Sequence, residues 1–288
     1  MPSITVYYHS NCPNGFTAAW VMWTFYRDQA NYVPCAYGAP LKEPAHSTGT
    51  VFFVDFCPPR DVLESLAKTF TLYVFDHHKT AKADLEGFTP QFGKVVFDME
   101  RSGAGITYDE MFPVPMFVRP ALVNYVEDRD LWRFKLPKSK EMNALILSYS
   151  YQFDVWSKIN DEFESEFSGN LAERGADILR ARQQSVRQMT RHYRWGWIGG
   201  HYFPYVNATD VFSEVAEELA IKTEVGIGAY YADRADGKRQ WGLRSRGDID
   251  VSAVAKQLGG GGHKGAAGFV TEQDWLPPVN TIHHANSV

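Results

Sequence analysis

Acidic and imidazole side chains follow three predicted strands of this chain, at the points where the strands end. His9 closes "SITVYYH", Asp55 follows the apolar run "VFFV", and "LYVF" leads into Asp76, His77 and His78. In a parallel sheet with helical crossovers, ligands bind beyond the carboxyl ends of the strands. A single carboxylate there usually caps the next helix, but three such strands predict a shared site. Mixed carboxylate and imidazole ligands suit Mn²⁺, Fe²⁺, Co²⁺ or Zn²⁺ better than Ca²⁺.

A second acidic group lies in "VEDRDLWRF", behind the predicted helix "PALVNYV", and supplies Glu127, Asp128 and Asp130. Taken alone, this segment is explained as well by a solvated charge run as by a functional site. Two divalent ions about 3.5–4 Å apart would activate a water and stabilise the leaving oxygen of a phosphate ester. Such a pair needs a shared carboxylate, and Asp55, on the strand expected to be central, is the candidate.

A glycine-rich segment near the C-terminus predicts an anion pocket. The four glycines of "GGGGHKGAAGF" allow backbone N–H groups to approach a phosphate, and the helix expected to follow would favour an anion at its N-terminus. Arg244 and Arg246, in the strand "KRQWGLRSR", lie on one side of it by the period of two and would clamp a phosphate together with His263. The segment is not a P-loop, because Lys264 is followed by Gly265.

Strands alternating with helices in the first half predict an α/β fold with a doubly wound, mainly parallel sheet. A stripe of apolar residues from Asp161 to Trp195 predicts one long helix that leads to a smaller α/β domain. In that domain "EVGIGAYYAD" and "KRQWGLRSR" are expected to pair around the turn "RADGK", and "VSAVAKQL" to form a helix. The predicted divisions are residues 1–160, 161–198 for the connecting helix, and 199–288, with a loosely held tail after "WLPP".

The composition narrows the class of protein. With 288 residues and a net charge of −5, a broad nucleic-acid-coating surface is excluded, although a small phosphate-bearing ligand is compatible. Three cysteines without framework spacing indicate free thiols in a reducing compartment. Neither a signal peptide nor a membrane-spanning run is found, which predicts a cytoplasmic protein without membrane contact.

Together these segments resemble the DHH phosphoesterase superfamily, in the branch with a DHH-associated C-terminal domain. The namesake triplet is "FDHH", and "VDFCPP", "RSGAGITYDEM" and "DRDLWRF" match further motifs of the first domain. "LRSR" with "VSAVAKQLGGGGHKGAAGF" resembles the C-terminal signature. The resemblance spans nearly the whole chain, with the motifs in the expected order.

The resemblance implies a two-metal phosphohydrolase, commonly dependent on Mn²⁺, with Mg²⁺ or Co²⁺ also possible. The metal-binding positions would be His9, Asn14, Asp55, His77, Asp130 and, with a poorer fit to the motif spacing, Asp128. Asp76 and His78 would support the ligands or serve as acid and phosphate contact. A terminal phosphate would be gripped by Arg244, Arg246, Gly262 and His263.

The expected substrate is a short phosphate-terminated nucleotide or short RNA, and a long duplex is not expected. Pyrophosphate or polyphosphate hydrolysis is the alternative, and a homodimer is reasonable for the family.

The first motif departs from the family pattern. The superfamily normally has Asp-x-Asp-Gly there, and Gly15 aligns its two acidic positions with Cys12 and Asn14. Cys12 is expected in the branch that this chain resembles, so Asn14 is the anomaly. Three explanations stay open: an engineered Asp-to-Asn exchange, a natural weakening in which the Asn carbonyl oxygen is a neutral ligand, or a nucleotide-binding protein without catalysis.

Overall fold

A computed structural model describes residues 3–113, 118–165 and 169–279. The chain divides into two compact units, Met1–Leu179 and Arg180–Val288. The predicted loose tail lies largely outside the described residues, as does Phe167 of the predicted long helix. In the part of the chain that is described, no helix combines the length and apolarity needed to cross a bilayer. All three cysteines are free, as their spacing predicts.

The first unit contains the predicted parallel sheet. Its strands are β1 Ile4–His9, β2 Ala30–Cys35, β3 Gly49–Val54, β4 Phe70–Asp76 and β5 Gly93–Phe97. They are ordered β2-β1-β3-β4-β5, and all neighbours are parallel. The strand before Asp55 is therefore central, as predicted. Strand β2 was not predicted, because it is a half-buried edge strand containing Pro34, a residue typical of edges.

Helices cover both faces of this sheet. They are α1 Pro13–Tyr26, α2 Arg60–Leu66, α3 Lys79–Asp84, α4 Gly103–Met111, α5 Ala121–Asp130, α6 Ser139–Ile146, α7 Phe153–Glu164 and α8 Gly169–Met189. Because side chains alternate along a strand, Phe52 and Phe53 belong to two separate cores. Helices α1, α4, α5 and α7 contribute to the first core, and α2 and α3 to the second.

The predicted long helix is found over Gly169–Met189, but its predicted bounds, Asp161 to Trp195, are wrong. Helix α7 ends at Glu164, and Ser165 is extended, with φ −79° and ψ 152°. The Ser165 hydroxyl donates to the Glu162 carbonyl oxygen at 2.7 Å, which satisfies an exposed end of the helix. Helix α8 ends at Met189, and Arg194 begins a strand. The helical spacing of apolar residues therefore concealed a break near residue 165 and a strand at Trp195.

The second unit contains a six-stranded sheet in the order β10-β11-β9-β8-β7-β6. Its elements are β6 Arg194–Ile198, β7 His201–Asn207, α9 Phe212–Lys222, β8 Ile227–Asp233, β9 Lys238–Ser245, α10 Val251–Gln257, β10 Gly261–His263 and β11 Ala266–Glu272. Only β7 and β8 among these neighbours are parallel. The predicted pairing around "RADGK" and the helix "VSAVAKQL" are both confirmed.

The prediction of a helix after the glycine-rich segment is wrong. Residues 261–263 and 266–272 form an antiparallel pair of strands that turns at Lys264 and Gly265. The stretch "AAGFVTE" alternates, with Ala267 and Phe269 buried against the core, and this period of two is that of a strand. No helix N-terminus therefore follows these glycines, and that part of the anion argument is lost.

Candidate metal centre

The strand order places the ends of β1 and β3 side by side. The chain leaves β1 for β2 on one side and later returns to β3 on the other, which makes a cleft at the carboxyl ends of the two strands. His9 closes β1, and Asp55 follows β3 with a left-handed φ of 54°. The Asp55 N–H donates to the Phe75 carbonyl oxygen at 2.9 Å. Left-handed backbone at a non-glycine residue is strained and concentrates at functional sites.

Two glycines allow helices to begin against these strand ends. A Cβ on Gly15 would lie 2.3 Å from the His9 carbonyl oxygen, and one on Gly103 would lie 2.5 Å from Asp55 Oδ1. Only glycine can therefore occupy either position without a shift of the neighbouring strand. This close approach brings Asn14 of α1 to the Asp55 carboxylate and Ala104 of α4 to Asn14.

On one side of that carboxylate, Oδ1 forms a group with His77 and Asp130, which we call the inner cluster. His77 Nε2 is 3.3 Å from both Asp55 Oδ1 and Asp130 Oδ2. The Asn14 amide nitrogen lies among them, 2.7 Å from Asp55 Oδ1, 3.1 Å from Asp130 Oδ2 and 3.3 Å from His77 Nε2. Asn14 Oδ1 accepts the Ala104 N–H at 2.9 Å, and Asn14 is fully buried.

On the other side, Oδ2 forms a group with His9 and Cys12, which we call the outer cluster. His9 Nδ1 and Cys12 Sγ are each 3.8 Å from Asp55 Oδ2, and one ligand atom from each residue lies within 4.8 Å of the others. His9 Nδ1 is buried, and no described residue hydrogen-bonds to it. A buried nitrogen beside a carboxylate and a thiol is a donor set that suits a divalent cation.

Asp76 fixes the turn that carries the two histidines. It is fully buried, and its Oδ1 accepts the His77 N–H at 2.8 Å and lies 2.7 Å from His78 Nδ1. Its Oδ2 is buried and has no hydrogen-bond partner among the described residues. Asp55, Asp76, His77 and His78 also have ligand atoms within 4.8 Å of one another. Asp76 is thus placed to orient both imidazoles.

The inner cluster is built to hold positive charge. Burial works to lower the pKa of His77, but Asp130 and Asp55 outweigh it and raise the pKa to about 9. Burial works to raise the pKa of Asp55, but His77 and His9 bring it below its usual range. The pKa of Asp130 is raised, by burial and by the neighbouring Asp55 carboxylate, although His77 opposes the change. Without a cation, the histidines supply the positive charge that these carboxylates require.

Of the acidic run at the end of α5, only Asp130 joins the cluster. Asp128 accepts the N–H groups of Lys135 at 2.9 Å and Leu136 at 3.1 Å, so it holds the loop after the helix. Glu127 accepts the Ser102 N–H at 2.9 Å and supports the start of α4. Residues two apart on a helix do not share a face. This explains why Asp128, predicted as a possible metal ligand, is not brought to the site.

In the second unit, the sheet register aligns two of the four predicted phosphate contacts. Ala266 pairs with His263 on one side and with Arg244 on the other, so His263 and Arg244 lie on one face with only a methyl group between them. Arg244 donates to Ser213 Oγ at 2.6 Å. Gly262 has a φ of 139°, and a Cβ there would lie 2.5 Å from the Ala266 carbonyl oxygen. Arg246 follows the end of β9, where its N–H donates to Gly226.

Sequence reasoning missed three participants of the centre. Cys12 lies at a motif position but was not assigned as a ligand. Tyr37 lies in a loop, and its ring is 5.4 Å from that of His9 and 5.6 Å from that of His78. Ala104 contributes only a backbone N–H. Of these, only Cys12 carried a signal in the sequence, through its place in the first motif.

Among the comparisons with known proteins, the match to a family model lies in the second unit. Residues 202–281 match the model of the DHHA1 domain. The chain is also 25% identical over 283 residues to the uncharacterized protein R106 of Acanthamoeba polyphaga mimivirus. That alignment covers 92% of this chain and 66% of R106, so the chain spans slightly less than two thirds of this relative.

The solved structures to which this chain is similar include two proteins of low sequence identity. RecJ from Thermus thermophilus, in complex with Mn²⁺, matches with a TM-score of 0.49 and 17% identity, over 94% of this chain and 50% of RecJ. The pGpG-specific phosphodiesterase PggH from Vibrio cholerae matches with a TM-score of 0.46 and 10% identity, over 94% of each chain.

Proposed function

We propose that this chain, whose residues 202–281 match the DHHA1 domain, is a member of the DHH superfamily and a metal-dependent phosphoesterase acting on short, phosphate-terminated nucleotides. The observation that carries the proposal is the convergence of His9, Cys12 and Asp55 beside the carboxyl ends of strands β1 and β3, with one ligand atom from each residue within 4.8 Å of the others. Such a concentration of acidic and imidazole ligands favours a divalent cation.

A cation in the outer cluster would be held by His9, Cys12 and Asp55. The second metal position implied by the family resemblance is the inner cluster of Asp55, His77 and Asp130. A bound divalent ion polarises phosphoryl oxygens and lowers the pKa of a bound water. Mn²⁺ is the expected ion, with Mg²⁺ or Co²⁺ as alternatives.

His78 is the proposed proton donor to the leaving oxygen. Its Nδ1 is held at 2.7 Å from the buried Asp76 carboxylate, which fixes the orientation of the imidazole ring.

Arg244 and His263 are the proposed contacts of a terminal phosphate, with Gly262 and Arg246 beside them. Their common face on the sheet gives two groups able to donate hydrogen bonds to phosphate oxygens. The small side chain of Ala266 between them leaves room for the ligand. This pairing favours a nucleotide with an end phosphate over a long polymer.

The experiment described below distinguishes this proposal from two alternative functions. Hydrolysis of pyrophosphate or polyphosphate would need the same metal chemistry with a different substrate. Nucleotide binding without catalysis is favoured by Asn14, which puts an amide where the superfamily has a carboxylate.

The test is Mn²⁺-stimulated hydrolysis of a 5′-phosphorylated RNA dinucleotide, run beside pyrophosphate. We expect turnover of the dinucleotide that EDTA abolishes and that Asp55→Asn removes. The exposed Asp61→Asn exchange is the matched control and should keep the rate. Turnover of pyrophosphate alone would favour the first alternative, and tight dinucleotide binding with no turnover in any metal would favour the second.

A further inference from the structure

The amide group of Asn14 has a fixed orientation. A backbone N–H can only donate, so the atom 2.9 Å from the Ala104 nitrogen must be the Asn14 oxygen. The amide nitrogen then points at Asp55 Oδ1 and Asp130 Oδ2, which can only accept when ionised. Both ends of the amide agree with one assignment. If the amide were flipped, its NH₂ group would face the Ala104 N–H, so that two donors would meet. Its oxygen would then face the carboxylate oxygens of Asp55 and Asp130.

The amide nitrogen lies where a cation of the inner cluster would bind. It contacts all three potential ligands, at 2.7, 3.1 and 3.3 Å. Its two hydrogens carry partial positive charge toward the carboxylates. For a cation to enter, these hydrogens would have to turn away from it, and the buried Ala104 N–H would then lose its acceptor.

The outer cluster has no such obstruction from the residues that the structure describes. His9 Nδ1 is buried without a hydrogen-bond partner there, and Cys12 Sγ and Asp55 Oδ2 are close by at 3.8 Å from each other. These nitrogen, sulfur and oxygen atoms lie within 4.8 Å of one another, which is close enough for one ion to contact all three. Thiolate ligands favour Zn²⁺, Co²⁺ or Fe²⁺ over Mg²⁺.

We propose that this chain holds a single divalent cation, bound by His9, Cys12 and Asp55, and that the Asn14 amide replaces the second cation between Asp55, His77 and Asp130. The inference rests on the proposed function only for the premise that the centre binds metal. It departs from the two-metal arrangement that the family resemblance implies. It also differs from a weakened two-metal site, because the Asn14 oxygen is committed to Ala104 and is not a ligand.

An aspartate at position 14 would restore the second position. One of its oxygens can keep the Ala104 N–H while the other faces Asp130 and His77. Without a cation, however, that oxygen adds a third carboxylate to the inner cluster. The Asn14→Asp variant should therefore be less stable than the parent chain when metal-free and should gain more stability from metal.

The experiment is a titration of the metal-free chain with Co²⁺, read by calorimetric stoichiometry and by near-ultraviolet absorption. We expect one Co²⁺ per chain, with a thiolate-to-cobalt charge-transfer band. Cys12→Ser should lose the band, and Cys35→Ser, which removes a buried thiol elsewhere, should keep it. Asn14→Asp should bind two ions, while Asn11→Asp, which adds the same charge at an exposed position of the same turn, should bind one.

Two Co²⁺ ions in the parent chain would overturn the inference, as would none, or one ion without a thiolate band. If Asn14→Asp does not fold without metal, the stoichiometry and band of the parent chain still decide. The result is separate from the proposed function. One bound ion with no hydrolysis of any phosphate ester would refute the phosphoesterase and leave the single-ion site intact.

Discussion

The two oxygens of the Asp55 carboxylate have opposite surroundings. Oδ1 accepts a hydrogen bond from Asn14 at 2.7 Å, whereas Oδ2 faces a histidine nitrogen and a thiol at 3.8 Å each. On the inner side, hydrogen-bond donors of the protein already compensate the negative charge of the carboxylate. On the outer side, the histidine nitrogen and the thiol lie too far from the carboxylate for a short hydrogen bond. The difference teaches that one residue, Asn14, gives the two oxygens of a single carboxylate different hydrogen-bonding surroundings.

The largest effect should come from Asp55→Asn, because this carboxylate serves both sides. We expect loss of Co²⁺ binding and a fall in phosphoesterase rate of about a thousandfold or more. Calorimetry and the dinucleotide assay measure the two effects. Asp61→Asn should change neither, and a variant at position 55 that keeps its metal would break the comparison.

The next effect should come from Asn14→Asp, which makes the two sides alike. We expect the rate in Mn²⁺ to rise by about 10–100-fold, the range seen when groups around a metal are altered. Without metal, unfolding in urea should occur at lower concentration than for the parent chain. An unchanged rate together with two bound ions would mean that the inner cation takes no part in the reaction.

Cys12→Ser should weaken the outer side alone. Loss of the thiolate is expected to reduce Co²⁺ affinity by about 10–100-fold, because a hydroxyl is a poorer ligand for this ion. Cys35→Ser is the control for a lost thiol. Equal Co²⁺ affinity in Cys12→Ser and the parent chain would show that the outer ion does not use the sulfur.

The smallest effect should come from Asp128→Asn, two residues from Asp130 on the same helix. Burial works to raise the pKa of Asp128, but hydrogen bonds from Ser139, Lys135 and Leu136 outweigh it and lower the pKa. The ionised form therefore stabilises the fold above the unfolded pKa of about 3.9, and this stability is lost as pH falls below that value. The variant should lose about 1–2 kcal/mol of unfolding free energy at pH 7 and less below pH of about 4.

Metal stoichiometry of Asp128→Asn should remain that of the parent chain. Urea denaturation at several pH values and a Co²⁺ titration check the two statements. A lost metal with unchanged stability would reverse the roles assigned to Asp128 and Asp130.

The buried parts of the first unit could be predicted from the sequence. The runs before His9, Asp55 and Asp76 are continuous and apolar, so their strands and the polar residues at their ends were foreseen. Edge strand β2 was not, because it depends on pairing with β1. The break at Ser165 was not foreseen either, because the helical spacing of apolar residues continues across it. The strands β10 and β11 were missed because four glycines conceal an alternating pattern.

The candidate residues of the site could be named from the sequence, but the orientations of their side chains could not. The sequence contains Asn14 and indicates that it replaces an acid, but the direction of its amide depends on an N–H ninety residues away, at Ala104. Likewise, the acidic run at 127–130 does not reveal which carboxylate faces the strands. That choice follows from the loop at Lys135 and Leu136, whose N–H groups bind Asp128.

The most direct test of the account is the anomalous scattering of cobalt in crystals of the parent chain grown with Co²⁺. We predict one peak, in contact with His9, Cys12 and Asp55, and the Asn14 amide nitrogen still directed at Asp55 and Asp130. A second peak between Asp55, His77 and Asp130, with the Asn14 oxygen turned toward it, would contradict the account.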